Sequence, residues 1–108
     1  MLFIELPVFV RCAQALFSDD ELRELQFALL ENPTAGDLIP GARGLRKLRV
    51  PLPGRGKRGG ARVIYYYWVV QERCYLVYAY AKNASADLTK EQLRRLADLM
   101  ETELNRES

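Results

Sequence analysis

Two neighbouring runs rich in aromatic and β-branched residues place the strongest constraint on the fold. They extend from Ala61 to Val70 and from Arg73 to Lys82, and only Gln71 and Glu72 separate them. Such residues favour the pleated surface of a strand. A connection this short forces the second strand to return beside the first. The sequence therefore predicts an antiparallel hairpin, and with it a sheet against which the remaining elements pack.

The rest of the chain carries signals for helices and two more strands. Two capping boxes mark helix starts, and Pro7 fits a first helical position, where its missing N–H costs nothing. All seven glycines lie between Gly36 and Gly60, so the segment Gly36–Gly44 is interpreted as a connection. We expect strands at about Leu2–Leu6 and Leu45–Val50, and helices at about Val8–Leu16, from the box Ser18–Glu21 to just before Asn32, and from the box Thr89–Gln92 onward.

This order, β-α-α-β-β-β-α, predicts an α+β domain. We expect a mainly antiparallel sheet, with the N-terminal helices packed on one face and a C-terminal helix in addition. A chain of 108 residues is long enough for one ordinary core and too short to divide in two. The prediction is a single domain over residues 1–108.

Cysteine and histidine usage limits the chemistry. Cys12 and Cys74 lie among apolar residues, which favours small core residues of a reduced, cytoplasmic protein over a disulfide or a nucleophile. The absence of histidine excludes most zinc sites and every Ser-His or Cys-His catalytic pair. We therefore expect neither a metal nor a cofactor. No apolar run approaches the ~20 residues of a membrane span, and the first ten residues lack the basic start of a signal peptide.

Positive charge is concentrated in one segment. The stretch from Leu38 to Gln71 carries eight of the 16 Lys and Arg residues and none of the 14 acidic ones, although the chain as a whole is only +2. Twelve of the 16 cations are Arg, whose planar fork suits phosphate oxygens. A solvated surface normally mixes both signs. The segment therefore predicts contact with a polyanion, and nucleic acid is the usual one.

A glycine-rich loop, Gly54–Gly60, lies inside this basic segment. Its spacing matches the G-x-G-x-x-G fingerprint of dinucleotide-binding proteins, but that motif opens a helix and here a strand follows. We interpret the loop as one whose backbone approaches a phosphate chain while Arg55, Lys57 and Arg58 reach outward.

Alternation along the two hairpin strands predicts which side chains share a face. In the first strand, Arg62, Ile64, Tyr66 and Trp68 share one face. In the second, strict alternation groups Leu76, Tyr78, Tyr80 and Lys82, and sets them apart from Tyr75, Val77, Ala79 and Ala81. Because the two alanines suit packed helices, we expect the face with Arg62 and Lys82 to form a groove floor. There Tyr66, Trp68 and Tyr80 either stack on bases or serve packing.

Three segments together resemble the HigB branch of the RelE-type toxins. They are Leu45-Arg-Lys-Leu-Arg49, Gly56-Lys-Arg-Gly-Gly-Ala-Arg-Val-Ile-Tyr-Tyr66, and Tyr80-Ala-Lys-Asn83 with Asp87-Leu88. The element order agrees with that superfamily over essentially the whole chain. The resemblance implies a RelE-like fold and the toxin of a type II toxin–antitoxin system. It implies an endoribonuclease that cleaves messenger RNA in the ribosomal A site, arrests translation, and is held inactive by a cognate antitoxin.

Site residues follow from the resemblance and from the chemistry of RNA cleavage. By motif match, Arg62 corresponds to the family's active-site strand arginine and Lys82 to the basic residue that ends the last strand. The tyrosine that follows this strand in some relatives has no counterpart, since Leu88 and Thr89 stand there. Arginine cannot act as a base, so Arg62 with Arg46 or Arg49 is predicted to clamp phosphate.

Without histidine, the base must be Lys or Tyr. A lysine crowded by arginines is pushed towards its neutral form, which makes Lys57 and Lys82 the candidates and Lys47 the third. The predicted catalytic residues are thus Arg62, Lys82 and Lys57. The predicted RNA- and phosphate-binding residues are Arg46, Lys47, Arg49, Arg55, Arg58, Tyr66, Tyr80 and Asn83.

Three function classes compete on the sequence alone. The first is the metal-independent, ribosome-dependent endoribonuclease, with messenger RNA, the ribosome and an antitoxin as partners. We expect that antitoxin to carry an acidic segment and to bind DNA. The second is a non-catalytic RNA- or ribosome-binding module that uses the same basic face. The third is a protein-interaction domain whose basic cleft receives an acidic peptide.

Overall fold

A computed structural model describes residues 1–52, 60–82 and 87–107. The elements in chain order are β1 Leu2–Glu5, α1 Pro7–Leu16, α2 Asp19–Glu31, β2 Asp37–Leu38, β3 Arg46–Val50, β4 Ala61–Trp68, β5 Arg73–Ala81 and α3 Lys90–Glu107. The predicted α+β class and the predicted strands and helices are confirmed. The addition is β2, a two-residue strand inside the expected connection. Two residues are too few to show any periodicity.

The strands form one sheet in the order β1-β5-β4-β3-β2. Strand β1 runs parallel to β5, and the other neighbours pair antiparallel. The sheet is therefore mainly antiparallel, as predicted. Its central strands, β4 and β5, are the two aromatic runs that first suggested a hairpin.

The helix starts have the predicted chemistry. Helix α1 begins at Pro7. Ahead of α2, Ser18 Oγ accepts from the Glu21 N–H at 3.1 Å, and Glu21 Oε1 accepts from the Ser18 N–H at 2.9 Å. Ahead of α3, the same reciprocal pair joins Thr89 and Gln92 at 2.8 and 3.1 Å. Each box satisfies two N–H groups that a helix start would otherwise leave without partners.

The hairpin turn is longer than predicted. Strand β4 ends at Trp68 rather than Val70, and the Glu72 N–H donates to the Val69 carbonyl at 3.1 Å. Glu72 has a φ of 50°. Val69 and Val70 therefore lie in the turn and are exposed. Their β-branched side chains continued the strand pattern in the sequence although the chain had already begun to reverse.

Two hydrophobic clusters lie on opposite faces of the sheet. Helices α1 and α2 contribute Phe9, Ala13, Leu25 and Leu29 to the first, and the sheet contributes Val63, Tyr65, Leu76 and Ala79. Helix α3 contributes Ala97 and Met100 to the second, where they pack with Ile64, Tyr75 and Val77. The face that carries Arg62 is thus partly covered by α3 rather than open along its length.

A β-bulge corrects the predicted face of part of β5. Tyr65 pairs with Leu76 but Ile64 pairs with Tyr78, so Val77 is an extra residue. A bulge of this kind reverses the alternation that follows it. Leu76 therefore lies with Ala79 and Ala81 on the α1–α2 face, and Tyr75 and Val77 lie with Tyr78 and Tyr80 on the α3 face. The prediction of strict alternation in β5 was wrong for Leu76, Tyr75 and Val77.

Both cysteines are core residues without a disulfide. Cys74 is fully buried, and burial raises the pKa of its thiol to about 12. The half-buried Cys12 donates its thiol hydrogen to the Val8 carbonyl at 2.8 Å. The environment of Cys74 is thus unlike that of a reactive thiolate. Within the described part of the chain, no helix is long and apolar enough to cross a membrane.

Candidate active site

One end of the sheet brings together cations from neighbouring strands. Arg49 in β3 lies opposite Arg62 in β4, and Arg62 lies opposite Tyr80 in β5. Residues that face each other across antiparallel strands point to the same side of the sheet. Leu48 and Val50, which flank Arg49, pack in the α1–α2 cluster. The row Arg49–Arg62–Tyr80 therefore lies on the α3 face, where β4 begins and β5 ends.

Lys47 and Lys82 extend this row, because each lies two residues from one of its members and so shares its face. The Lys82 N–H donates to the Gly60 carbonyl at 2.9 Å, which continues the ladder one step beyond β5. Gly60 has a φ of 67°, and a Cβ atom there would collide with the Val50 carbonyl oxygen. A glycine at this position thus lets β3, β4 and the end of β5 meet closely beneath the cations.

The Asp87 carboxylate joins the two lysines and the tyrosine. Its Oδ1 accepts a hydrogen bond from the Tyr80 hydroxyl at 2.9 Å and lies 3.6 Å from Lys47 Nζ. Its Oδ2 lies 3.1 Å from Lys82 Nζ. The hydrogen bond from Lys82, that from Tyr80 and the charge of Lys47 lower the pKa of Asp87. The carboxylate is therefore ionised at neutral pH.

The Tyr80 hydroxyl is a hydrogen-bond donor in this arrangement. Burial, followed by the hydrogen bond to Asp87 and that residue's charge, raises the Tyr80 pKa to about 12, and the Arg62 charge opposes the shift. The ring also packs at a tilt against Tyr78, with 6.2 Å between the ring centroids. At neutral pH the hydroxyl keeps its proton, so it can donate a hydrogen bond but cannot act as a base.

Arg62 is half-buried between the two flanking strands. Its Nη1 donates to the Ala61 carbonyl at 3.3 Å. A guanidinium keeps its charge at any physiological pH. Arg62 therefore supplies a permanent positive charge and several N–H donors beside the neutral Tyr80 hydroxyl.

Arg46 does not join this cluster. It pairs with Tyr65, a buried residue of the α1–α2 face. Its Nη1 donates to the Gly36 carbonyl at 2.8 Å. The Tyr65 hydroxyl binds the same connection, accepting from the Gly36 N–H at 2.9 Å and donating to the Pro33 carbonyl at 2.8 Å. Arg46 thus fastens the α2–β2 connection, on the opposite side of the sheet from the row Arg49–Arg62–Tyr80.

Tyr66 and Trp68 lie on the predicted face, beside the cluster that α3 covers. Both are half-buried in the α3 cluster, beyond Ile64 from Arg62. The Tyr66 ring lies against Gly44, where a Cβ atom would come within 2.8 Å of the ring edge. This close contact favours the packing alternative for Tyr66, and the alternatives stay open for Trp68.

Four predicted site residues, Arg55, Lys57, Arg58 and Asn83, lie outside the described residues. Of the others, Lys47, Arg49, Arg62, Tyr80 and Lys82 come together. Within residues 1–52, 60–82 and 87–107, no group of three or more Cys, Asp or Glu residues could hold a metal ion. The cations instead suit a ligand that is itself an anion.

Asp87 is the site residue that sequence reasoning missed. The sequence presents it as an acid shortly before a helix and as part of the Asp87-Leu88 motif, without a role in the site. Its position in the chain was the signal that could have identified it. A carboxylate in the short connection between a basic strand end and the helix on the same face of the sheet has the strand's last cations within reach.

These elements define a class of protein: a small α+β domain with a cationic cluster at one end of its sheet. The family model for the RelE toxin of the RelE/RelB toxin–antitoxin system matches residues 7–107, and the chain belongs to this family. It is the toxin member of a type II toxin–antitoxin pair, as predicted. The HigB branch stays a prediction.

Two solved structures share the fold. One is a mutant of the E. coli toxin RelE in the free state, with a TM-score of 0.59 and 15% identity over 87% of this chain and 95% of that chain. The other is the intact RelBE toxin–antitoxin complex of E. coli, with a TM-score of 0.57 and 15% identity over 77% of this chain and 98% of that chain. At this identity the likeness shows a shared architecture.

Proposed function

We propose that this toxin is a ribosome-dependent endoribonuclease that cleaves messenger RNA in the ribosomal A site and so arrests translation in the cytoplasm. The observation that carries the proposal is the convergence of Arg49, Arg62, Lys47 and Lys82 on one end of one face of the sheet. Phosphate is the ligand that two guanidinium and two ammonium groups match best. The family membership supports the reaction.

RNA supplies its own nucleophile, which limits what the protein must add. The ribose 2′-oxygen loses its proton and attacks the adjacent phosphorus, and the bond to the 5′-oxygen breaks as that oxygen takes a proton. The products are a 2′,3′-cyclic phosphate and a 5′-hydroxyl. Arg62 and Arg49 clamp the phosphoryl oxygens and stabilise the charge that develops on them. These cations supply the charge stabilisation, so we propose a reaction without a metal.

The surroundings of Lys82 change its proposed role. The sequence predicted a lysine crowded by arginines, but the Asp87 carboxylate lies 3.1 Å from its ammonium. An ammonium beside a carboxylate suits proton donation to the leaving 5′-oxygen, or stabilisation of charge, better than proton removal. Lys57 remains the proposed base, and the glycine-rich loop with Arg55, Arg58 and Asn83 remains a proposed phosphate contact.

The partners follow from the family and the charge. We propose a cognate antitoxin that binds DNA and carries an acidic segment, because arginine N–H groups donate hydrogen bonds to carboxylates as readily as to phosphates. The E. coli relative has been solved as a toxin–antitoxin complex. The free toxin then acts on ribosome-bound messenger.

Mapping of cleavage products on a defined message tests the proposal. The purified toxin is added to ribosomes stalled with a known A-site codon, and to the same message without ribosomes. We expect cuts within the A-site codon on ribosomes only. Arg62→Ala should lower the cleavage rate by about 100- to 1,000-fold, the usual effect of removing one group that stabilises transition-state charge.

Arg23→Ala is the matched control, since Arg23 is an exposed arginine of α2 on the other side of the sheet. It should cleave like the wild type. Binding to ribosomes without any cut would favour the non-catalytic module instead. Cleavage that persists in a folded Arg62→Ala variant would show that the site lies elsewhere.

A further inference from the structure

The carboxylate of Asp87 lies inside a cluster that otherwise suits phosphate. A carboxylate beside RNA phosphates repels them, so its presence there requires an explanation. Both of its oxygens are engaged, one by the Tyr80 hydroxyl and Lys47, the other by Lys82. The partners come from β3 and from the end of β5, so one side chain sets the relative positions of groups on separate strands.

Asp87 is not needed to begin α3. Thr89 is the N-terminal cap of that helix, and its reciprocal hydrogen bonds with Gln92 are complete without Asp87. Asp87 is also about half exposed, so its side chain adds little to the core. Its interactions are directed to the site rather than to the helix or the interior.

The geometry points to Asp87 as a positioning residue for RNA cleavage, one that holds the Lys82 ammonium and the Tyr80 hydroxyl beside Arg62. This inference rests on the proposed function. The ammonium of a lysine lies at the end of a flexible four-carbon stem, so it samples many positions when nothing fixes it. A carboxylate at 3.1 Å reduces that sampling, and the Tyr80 hydroxyl is fixed in the same way at 2.9 Å.

Asp87 does not act as the base in this scheme. Its oxygens already accept hydrogen bonds from Tyr80 and Lys82, and the lowered pKa makes the carboxylate a weak proton acceptor. Its effect on the reaction therefore passes through Lys82 and Tyr80. That dependence makes the role testable, because removing Asp87 should matter only while those partners are present.

A double-mutant cycle on programmed ribosomes tests the inference. Asp87→Asn keeps the shape of the side chain and removes its charge. We expect it to lower the single-turnover cleavage rate by about 10- to 100-fold, because misplacing a reacting group by ~1 Å costs up to about 100-fold. The toxin concentration that half-saturates the ribosomes should change little. Asp87→Asn should cost less in a Lys82→Ala background than it does alone, and it should change the rate little in a Lys82→Ala/Tyr80→Phe background.

Asp98→Asn provides the control, because Asp98 lies in α3 and pairs with Arg43 away from the site. It should cleave like the wild type. Tyr80→Phe tests the second arm without touching either charge, and should also lower the rate. Thermal melting confirms that each variant is folded.

The contrary outcomes are distinct. If the Asp87→Asn variant cleaves as fast as the wild type or faster, the carboxylate merely occupies the cations in place of RNA, and the inference is overturned. If Asp87→Asn lowers the rate by the same factor in the Lys82→Ala/Tyr80→Phe background as in the wild type, Asp87 acts independently of both partners and the positioning role is again overturned. A wild-type protein that never cuts on ribosomes refutes the proposed function itself.

Discussion

Arg49 and Arg62 face each other directly across the β3–β4 ladder. Like charges at opposite positions of an antiparallel pair destabilise a sheet. Neutral side chains here would favour the fold, so the pair supports the proposed phosphate-binding role, which comes at some expense of stability. A phosphate between the two guanidinium groups removes the repulsion.

The first prediction compares two arginines of β3 that point to opposite faces. Arg49→Ala should weaken the binding of single-stranded RNA and lower the slope of log affinity against log salt by about one, because one phosphate contact is lost. The unfolding free energy should stay the same or rise by roughly 0.2–1 kcal/mol as the repulsion with Arg62 disappears. Fluorescence anisotropy at several salt concentrations and urea unfolding measure the two effects.

Arg46→Ala is the matched partner and should behave in the opposite way. Its guanidinium donates to the Gly36 carbonyl on the far face. Loss of that hydrogen bond should lower the unfolding free energy by about 1–2 kcal/mol, while the salt slope for RNA stays unchanged. A reduced slope in Arg46→Ala would contradict the assignment of faces.

The second prediction concerns the protonation of Asp87. Lys82, then Tyr80 and Lys47, hold its pKa below the ordinary 3.8. Lys82→Ala should therefore raise the Asp87 pKa towards 3.8, and Tyr80→Phe should do so to a smaller extent. Carbon-detected NMR titration of the side-chain carboxyl measures this. Asp98→Asn, which leaves the contacts of Asp87 intact, should not change the Asp87 pKa.

The sign of the accompanying stability change follows from the lowered pKa. A group with a depressed folded pKa stabilises the protein above its unfolded pKa, and this contribution is lost as the pH falls through the folded value. The wild type should thus exceed Asp87→Asn in stability at neutral pH, and the difference should shrink below about pH 4. A difference that is constant down to pH 2 would show that the ion pairs contribute nothing.

The third prediction uses two glycines with the same backbone conformation. Gly60 and Gly41 have φ values of 67° and 71°. A Cβ at Gly60 would collide with the Val50 carbonyl, whereas one at Gly41 would meet nothing within 4 Å. Both alanine variants should lose about 1 kcal/mol to the strained backbone, and Gly60→Ala should lose more. Because Gly60 also pairs with Lys82, Gly60→Ala alone should slow cleavage; equal stability losses would contradict the close approach.

Local signals in the sequence predicted most of the fold. The two capping boxes, Pro7 and the aromatic runs each specify backbone structure within a few residues, so their interpretation did not depend on tertiary packing. The bulge at Val77 is different. Apolar residues on both sides of it pack in one cluster or the other, so the pattern of residue types does not reveal where the alternation reverses.

The candidate site could be predicted where a cation lies at the end of a strand whose pairing partner was also predicted. Arg62 and Lys82 stand out as cations at the ends of apolar strands, and pairing brings them together. The closeness of Asp87 to Lys82 is visible in the sequence, but its contact with Lys47 depends on how β3 pairs in the sheet. Lys47 and Arg46 are adjacent in sequence and both are cations, yet only the pairing partner of each, Ile64 or Tyr65, shows which one faces the site.

The last prediction concerns the antitoxin. A cationic face left open in a cell full of RNA binds that RNA nonspecifically. Its arginines also bind carboxylates. We expect an antitoxin whose acidic segment, partly disordered when alone, binds across or beside the cluster. Its affinity should fall as salt rises, and Arg62 and Lys82 neutralised together should weaken it by at least tenfold. Titration calorimetry with the purified antitoxin measures both effects, with Arg23→Ala as the control.

Inhibition has two physical routes, and the same titration separates them. If the acidic segment covers Arg62 and Lys82, the affinity falls both when the salt concentration rises and when these two residues are neutralised. Both changes weaken the same contacts between opposite charges. If the antitoxin binds elsewhere and only adds bulk that bars entry to the A site, neutralising the cluster leaves its affinity unchanged. In that case the bound toxin should still bind short RNA with its usual salt dependence, since the cations remain open.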